Sequence, residues 1–233
     1  MAFLGIAMAS ITVENYLKTL YAIQQRRAAP GTLVAMGNFA AVMNVAPGTA
    51  TAMVKALAES GLVDYEPRGG VRLSAKGEKL ALHVLRRHRL VELFLVEVLG
   101  LDWSEVDEEA EELEHAISDK VLEKIDRRLN YPAFDPHGDP IPTSKGKLPA
   151  RGRLKTLIEC DVDRPLRVAR VLDQDPRFLQ FVERNCLKPG MELTVRSRDD
   201  FADAVLVKPV NQSEVTLGAA AAVKIMVEAL GER

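Results

Sequence analysis

The sequence predicts a mainly α-helical chain with a winged helix-turn-helix domain first, a helical domain in the middle, and a small β-barrel at the end. Three observations predict it. Apolar residues recur at helical spacing through residues 10–60, interrupted by a tight turn at Asn44-Val45-Ala46-Pro47-Gly48, and a glycine-tipped hairpin pattern follows from Leu62 to Leu73. Helical periodicity then resumes from about Ala75 to Leu129. Beyond Leu166 the pattern changes to short β-type runs separated by turn residues, the signature of a small, partly open barrel. The corresponding domains are 1–75, 76–145 and 154–233, with a basic, Gly/Pro-punctuated linker at 146–153.

In the first domain, Ser10 or Thr12 followed by Glu14 opens a helix whose apolar stripe is Val13, Tyr16, Leu17, Leu20, Tyr21 and Ile23; Pro30 and Gly31 end it. A second helix is expected over Thr32–Met43. A third, from Pro47 to Ser60, starts on proline, buries Ala50, Val54 and Leu57, and stops at Gly61, which suits a left-handed position after the helix. The Gly69-Gly70 pair marks the tip of a two-stranded wing. In such a unit the third helix enters the major groove of double-stranded DNA, with Thr49, Thr51 and Lys55 toward it, while Arg68 and Arg72 on or beside the wing meet phosphates. Capping and surface solvation explain each of these residues singly; their arrangement after a helix-turn-helix is what points to DNA.

The middle domain starts with a long helix, about Ala75 to Leu99. Its stripe of Leu80, Val84, Leu85, Val91, Phe94, Leu95 and Val98 is more apolar than one packed face requires and suits a dimer contact. Gly100-Leu101-Asp102 breaks the helix, and two more follow, from Glu105 to His115 and from Ser118 to Leu129. Across the break stand His88 and Glu92, spaced i,i+4, and then Asp107, Glu111, Glu114 and His115 about one turn apart. On two facing helices they would form a carboxylate and imidazole cage for a divalent metal. An acidic run such as DEEAEELEH is by itself usually a solvated helix face. A second His/Glu pair one helix upstream shifts the balance toward metal. His83 has no acidic partner four residues on and reads as packing or surface.

Charge distribution agrees with this layout. Residues 1–80 carry 8 basic and 5 acidic side chains, residues 81–140 carry 7 and 15, and residues 141–233 carry 16 and 13. An acidic centre between mildly basic ends suits a cation in the middle and a polyanion at one end. Cys160 and Cys186 have no metal-type or disulfide spacing, which suggests a reduced, cytoplasmic chain. The apolar N-terminal MAFLGIAMAS lacks a basic leader and does not read as a signal peptide. No stretch is expected to span a membrane.

The chain resembles the metal-dependent repressors of the diphtheria-toxin-repressor type, including the manganese-responsive branch. The resemblance rests on Glu14-Asn15-Tyr16-Leu17, on Arg87-His88-Arg89-Leu90 with Glu92, on the run Glu108 to His115 followed by Ser118-Asp119, and on Tyr131-Pro132 through Asp135-Pro136-His137-Gly138-Asp139-Pro140-Ile141-Pro142. It implies a homodimeric winged-helix regulator that binds operator DNA when loaded with manganese(II) or iron(II), with a third, SH3-like domain. It also implies two metal sites. One is His88, Glu92 and Asp107, to which the SH3-like domain can lend a ligand, here Asp175 or nearly as well Asp173, although a helix N-cap explains either equally. The other is Glu111, Glu114 and His115, with Asn15 at the first-helix position. Glu111 stands where iron-type members have cysteine, and oxygen ligands suit manganese, with iron as the alternative. Asn15 offers only a neutral oxygen, and Lys18 replaces a carboxylate of some manganese-type members, so a closely spaced two-ion site is not expected. His137 reads as part of a rigid proline-rich loop. No organic cofactor and no catalytic role are expected. A metal-dependent hydrolase and a winged-helix sensor of a small organic ligand are the competing classes, and the hydrolase lacks a nucleophile or acid/base set.

Overall fold

A computed structural model describes residues 10–25 and 32–230. The N-terminal apolar segment up to residue 9 and the helix stop at Pro30-Gly31 lie outside the described residues. The chain divides into two compact units, Met1–Arg87 with Pro142–Lys147, and His88–Ile141 with Leu148–Arg233.

The first unit is a winged helix-turn-helix. α1 (Ile11–Gln25) buries Tyr16, Leu17, Leu20, Tyr21 and Ile23, the stripe that its periodicity predicts. α2 (Met36–Val42) turns at Asn44, φ 52°, into α3 (Pro47–Glu59), whose Ala50, Val54 and Leu57 are buried. β1 (Val63–Glu66) and β2 (Gly70–Leu73) form the wing. α2 is shorter than expected because Thr32–Ala35 is not helical. Val34 instead exchanges two backbone hydrogen bonds with Val71 on β2, at 2.7 and 2.9 Å, so the wing recruits the residues before the helix. The wing's turn also differs from the Gly69-Gly70 expectation. Its loop is Pro67-Arg68-Gly69, and Gly70 already pairs with Glu66. Glycine is needed at position 70 for close approach: its φ is +130°, and a Cβ there would lie 2.4 Å from the Val34 carbonyl oxygen. Leu80, Ala81, Leu82 and Leu85, on the first half of α4 (Ala75–Glu97), complete this core.

The second unit holds the rest of α4, then α5 (Val106–Glu114) and α6 (Asp119–Arg128), the last capped by the Ser118 hydroxyl. Leu90, Leu122, Ile125 and Ile141 pack together, as do Val91, Leu95, Val106 and Ala110. The C-terminal part is an SH3-like sheet of six antiparallel strands: β3 (Lys155–Thr156), β4 (Pro165–Val171), β5 (Glu192–Asp199), β6 (Ala204–Pro209), β7 (Val215–Gly218) and β8 (Ile225–Ala229). Their order is β3-β8-β4-β5-β6-β7. Register shifts at Val168/Arg170 and Val195/Ser197 supply the bulges that let a short sheet curl. α7 (Pro176–Arg184) and the single turn α8 (Ala219–Ala222) cover it, and Trp103 joins its core. β3 is too short, and α8 too alanine-rich, to show in the β-type pattern; Val223 caps α8, and β8 starts after it at Ile225.

One loop of this unit positions the site. Asp135 Oδ1 accepts the backbone N–H groups of His137 and Asp139 at 2.9 Å each, folding the loop into a turn. The Val171 N–H donates to the His137 carbonyl at 2.9 Å, which seats the turn on β4. Arg151 clamps the same junction, donating to the Gly138 and Ala169 carbonyls while its guanidinium lies 3.9 Å over the Phe134 ring. Among the described residues no helix is long and apolar enough to cross a membrane.

Candidate metal centre

His88 and Glu92 leave the same face of α4 one turn apart, and α5 faces them with Asp107, Glu111 and Glu114. The His88 ring lies between the carboxylates. Its Nε2 is 3.5 Å from Glu92 Oε1 and 3.2 Å from Asp107 Oδ1; its Nδ1 is 2.8 Å from Glu114 Oε2 and 3.9 Å from Glu111 Oε1. His115, just after α5, places Nε2 3.2 Å from Glu114 Oε1. His88, Glu92 and Glu114 are buried, whereas the Asp107 and Glu111 side chains are 50% and 39% exposed. Three groups of potential ligands result: His88-Glu92-Asp107, His88-Glu111-Glu114 and Glu92-Asp135-His137.

This geometry departs from the sequence reading in three ways. The two expected ligand sets adjoin: His88 groups with Glu92 and Asp107 through one ring nitrogen and with Glu111 and Glu114 through the other, while His115 belongs to none of the three groups. The loop histidine also reaches the cluster. His137 Nδ1 lies 3.5 Å from Glu92 Oε1, and Nε2 is 2.9 Å from the Trp103 carbonyl. With Nε2–H given to that carbonyl, Nδ1 faces Glu92 and, once it loses its proton, would offer a lone pair there, which is how a second partner orients an imidazole for a metal. Finally, Asp175 is not brought to the cluster. Its carboxylate caps α7 through the Arg177 N–H at 2.9 Å and pairs with the Arg177 guanidinium, while Asp173 pairs with Lys224 Nζ at 2.6 Å. The residue between them, Gln174, reaches the site, its amide nitrogen 3.4 Å from His137 Nδ1. Asp135, the other unforeseen member, is buried beside His137, and Arg89 Nε is 3.5 Å from its Oδ2.

The electrostatics are those of a cation site. Glu92 is fully buried, and neither carboxylate oxygen has a hydrogen-bond donor. An uncompensated buried carboxylate costs several kcal/mol, so positive charge must stand beside it. Burial works against ionisation of Glu92, but the imidazoles of His137 and His88 outweigh it and hold the carboxyl at about 2. Burial likewise opposes charge on both rings. For His88 the carboxylates of Asp107, Glu114 and Glu92 win and raise it well above the ordinary histidine value. For His137, Glu92 and Asp135 win and push it up to about 9. Asp135, buried next to Glu92 and Asp139, is pushed up to about 8. Protons thus supply the charge that a divalent ion would otherwise bring. The donors are carboxylate oxygens and imidazole nitrogens; neither Cys160 nor Cys186 belongs to any of the three groups. These residues fit a hard or borderline divalent cation.

In the first unit, Asn15 sits half-buried on α1 and Lys18 one turn further. Thr49 and Lys55 are exposed on α3, and Arg68 is exposed at the wing tip in a left-handed conformation, φ 66°. Thr51 is half-buried and returns its hydroxyl to the Pro47 carbonyl at 2.8 Å. Arg72 is paired with Asp64 across the wing at 3.0 Å. Those two side chains therefore have local partners.

Three families match the chain in succession. Residues 8–71 match one described as iron dependent repressor, N-terminal DNA binding domain; residues 74–143 match iron dependent repressor, metal binding and dimerisation domain; residues 155–229 match the FeoA domain. An uncharacterised HTH-type transcriptional regulator of Methanocaldococcus jannaschii is 38% identical over 116 residues, covering 50% of this chain and 90% of that protein. The iron-dependent repressor IdeR of Mycobacterium tuberculosis is 34% identical over 131 residues, covering 56% of this chain and 55% of its own length. Among solved structures, a manganese-dependent transcriptional repressor in complex with manganese is similar with a TM-score of 0.83 and 37% identity over 94% of this chain and 100% of that one. ScaR with bound Cd2+ is similar with a TM-score of 0.76 and 33% identity, over 94% and 99%.

Proposed function

The chain belongs to the iron-dependent repressor family of metal-responsive DNA-binding regulators, and from that premise we propose that manganese(II) is its effector and that it acts as a cytoplasmic homodimer on operator DNA. The observation that carries the metal reading is Glu92, a fully buried carboxylate with no hydrogen-bond donor, flanked by two imidazoles. His88, Glu92 and Asp107, Glu111, Glu114 and His115, and Asp135 with His137 are the residues that would hold the ion, which supplies positive charge in place of protons. The absence of thiolate from these groups favours manganese over softer ions, with iron(II) next.

α4 supports the coupling. Its first half carries Leu80, Ala81, Leu82 and Leu85 of the winged-helix core, and its second half carries His88 and Glu92. An ion that fixes one half of a continuous helix restrains the other, and it biases DNA binding only through differential affinity for the competent state. The homodimer reading rests on the match to a metal binding and dimerisation domain; Leu80, Val84, Leu85, Val91 and Leu95 of the expected dimer stripe are buried within this chain, whereas Leu99, Leu113, Val121 and Tyr131 stay exposed. α3 is the recognition helix, with Thr49 and Lys55 on it and Arg68 at the wing tip as exposed contacts toward DNA, and Thr51 on α3 and Arg72 on the wing secondary.

Gel-shift titration tests the proposal: manganese should tighten operator binding at least about tenfold over chelator, a coupling of about 1.4 kcal/mol. Equal affinity in the two conditions removes the switch. Glu111→Cys should raise affinity for iron(II) and zinc relative to manganese, and an unchanged ratio removes Glu111 from the selectivity account.

Proton competition gives a second expected outcome. In the metal-free protein His137 is raised from 6.5 to about 9, so its proton stabilises the fold fully below pH 6.5 and that contribution is lost as pH rises through 9. Asp135, raised from 3.8 to about 8, behaves with the same sign between those values. A metal must displace these protons, so manganese affinity should rise with pH up to about 9. At pH 7 the binding heat should differ between buffers of different ionisation enthalpy. Equal heats in both buffers contradict proton release.

A further inference from the structure

We propose that the open pocket at the β3–β8–β4 end of the SH3-like barrel binds a small organic anion with an apolar body, a medium-chain carboxylate, giving the chain an organic input separate from its metal cluster. The pocket is about 420 Å3, within the size range of ligand sites. Its floor is aliphatic: Leu166 on β4, Val227 and Ala229 two residues apart on one face of β8, and Leu230, whose N–H bonds the Pro165 carbonyl. The floor stays open because position 229, opposite Leu166 in the ladder, carries only a methyl group.

The rim is cationic. Arg153, Lys155 and Arg164 converge on the opening, against a single acidic side chain, Asp161. Neither Arg153 nor Arg164 has an ion-pair partner among the described residues, and Lys155 has only Asp161, at 4.0 Å. Several other basic side chains of the barrel are neutralised locally: Arg167 lies 3.0 Å from Glu192, Arg196 2.7 Å from Asp163, and Lys224 2.6 Å from Asp173. Unneutralised cations over a concave apolar floor concentrate positive potential where a carboxylate can reach them while its chain is buried. Burial also pushes the Cys160 thiol up, which keeps that part of the wall neutral and apolar. An alcohol of the same chain length lacks the charge for the rim, and acetate lacks the body for the floor.

Calorimetric titration of the full-length, metal-loaded protein with octanoate, octan-1-ol and acetate, all below micelle-forming concentrations, tests the proposal. Octanoate should bind once per chain, at least tenfold more tightly than either control. The Arg153→Gln/Arg164→Gln double variant should weaken octanoate at least tenfold while leaving the melting temperature and manganese affinity unchanged, since both side chains are exposed. Ala229→Phe should close the floor and remove binding. Absence of octanoate binding, equal binding of octanol or acetate, or full affinity in the double variant overturns the proposal. Manganese titration of the same proteins reads the metal cluster independently, so failure of one reading leaves the other standing.

Discussion

Glu92→Gln is expected to remove the manganese response. Gln keeps the shape of Glu92 but loses the charge shared between the His88 and His137 sides of the cluster, and no water can replace a ligand that is fully buried. A loss of at least about 100-fold in affinity is expected, or about 2.7 kcal/mol. Where free manganese is 100 times the wild-type dissociation constant, wild-type protein gains about 2.7 kcal/mol of stability from the ion, whereas the variant gains about 0.4 kcal/mol. Thermal melts with and without manganese read this difference directly, and gel shifts should show metal-independent DNA affinity. The metal-free melting temperature should stay close to wild type, because the imidazoles can give up their protons once the carboxylate is gone. A full manganese-induced shift in Glu92→Gln refutes the site. Asp107→Asn should be milder, since water can substitute at a side chain that is half exposed.

Gly138→Ala is expected to be the most damaging small substitution in the second unit. A Cβ at this position would lie 2.1 Å from the Ala169 carbonyl oxygen and 2.8 Å from Arg170 Cα, on a backbone with φ +85°. Backbone atoms of a barrel strand cannot yield as a flexible side chain would. The loop must therefore lift from β4, giving up the Val171-to-His137 hydrogen bond and the Arg151 clamp. The cost should be about 3 kcal/mol or more, a fall in melting temperature of roughly 6–12 °C for a protein of this size. Lifting the loop also withdraws His137 and Asp135 from Glu92 while leaving His88, Glu111 and Glu114 in place, so calorimetric metal stoichiometry should fall without reaching zero. An unchanged melting temperature means the loop tolerates the methyl group, and the clamp is then dispensable.

What the sequence makes legible follows from periodicity. The winged helix, the long α4 and the i,i+4 pair of His88 and Glu92 all come from the spacing of residues on one element, and the acidic face of α5 is read in the same way. Features that depend on two elements meeting are not legible. Val34 pairs with Val71 because the wing has an open edge there, which no local signal before α2 announces. Asp64 opposes Arg72 only once the wing register is set, and that pairing takes the guanidinium away from the surface expected to contact DNA. Asp135 and His137 are loop residues whose approach to Glu92 is decided by β4 beneath them. Gln174 shows how fine the limit is. The sequence marks the right segment of the barrel, but helix capping consumes Asp175 and a lysine consumes Asp173, so the residue left facing the cluster is the one between two more ligand-like neighbours. The sharing of His88 is hidden for a different reason, since a sequence assigns each histidine to one set and cannot show that its two nitrogens face opposite ways.

Trp103 is the chain's single tryptophan, and its ring stacks on His137 with centroids 5.4 Å apart and planes at 29°. Its carbonyl holds the same imidazole by Nε2, and the ring itself is 2% exposed. Nature has therefore placed the only strong intrinsic fluorophore of the protein against one member of the cluster and away from bulk water. Imidazolium in van der Waals range of an indole drains its excited state, whereas a neutral ring does so far less. The emission of the unlabelled protein is therefore expected to respond to the charge on His137, alongside Lys188, whose Nζ lies 4.7 Å from the centre of the same ring.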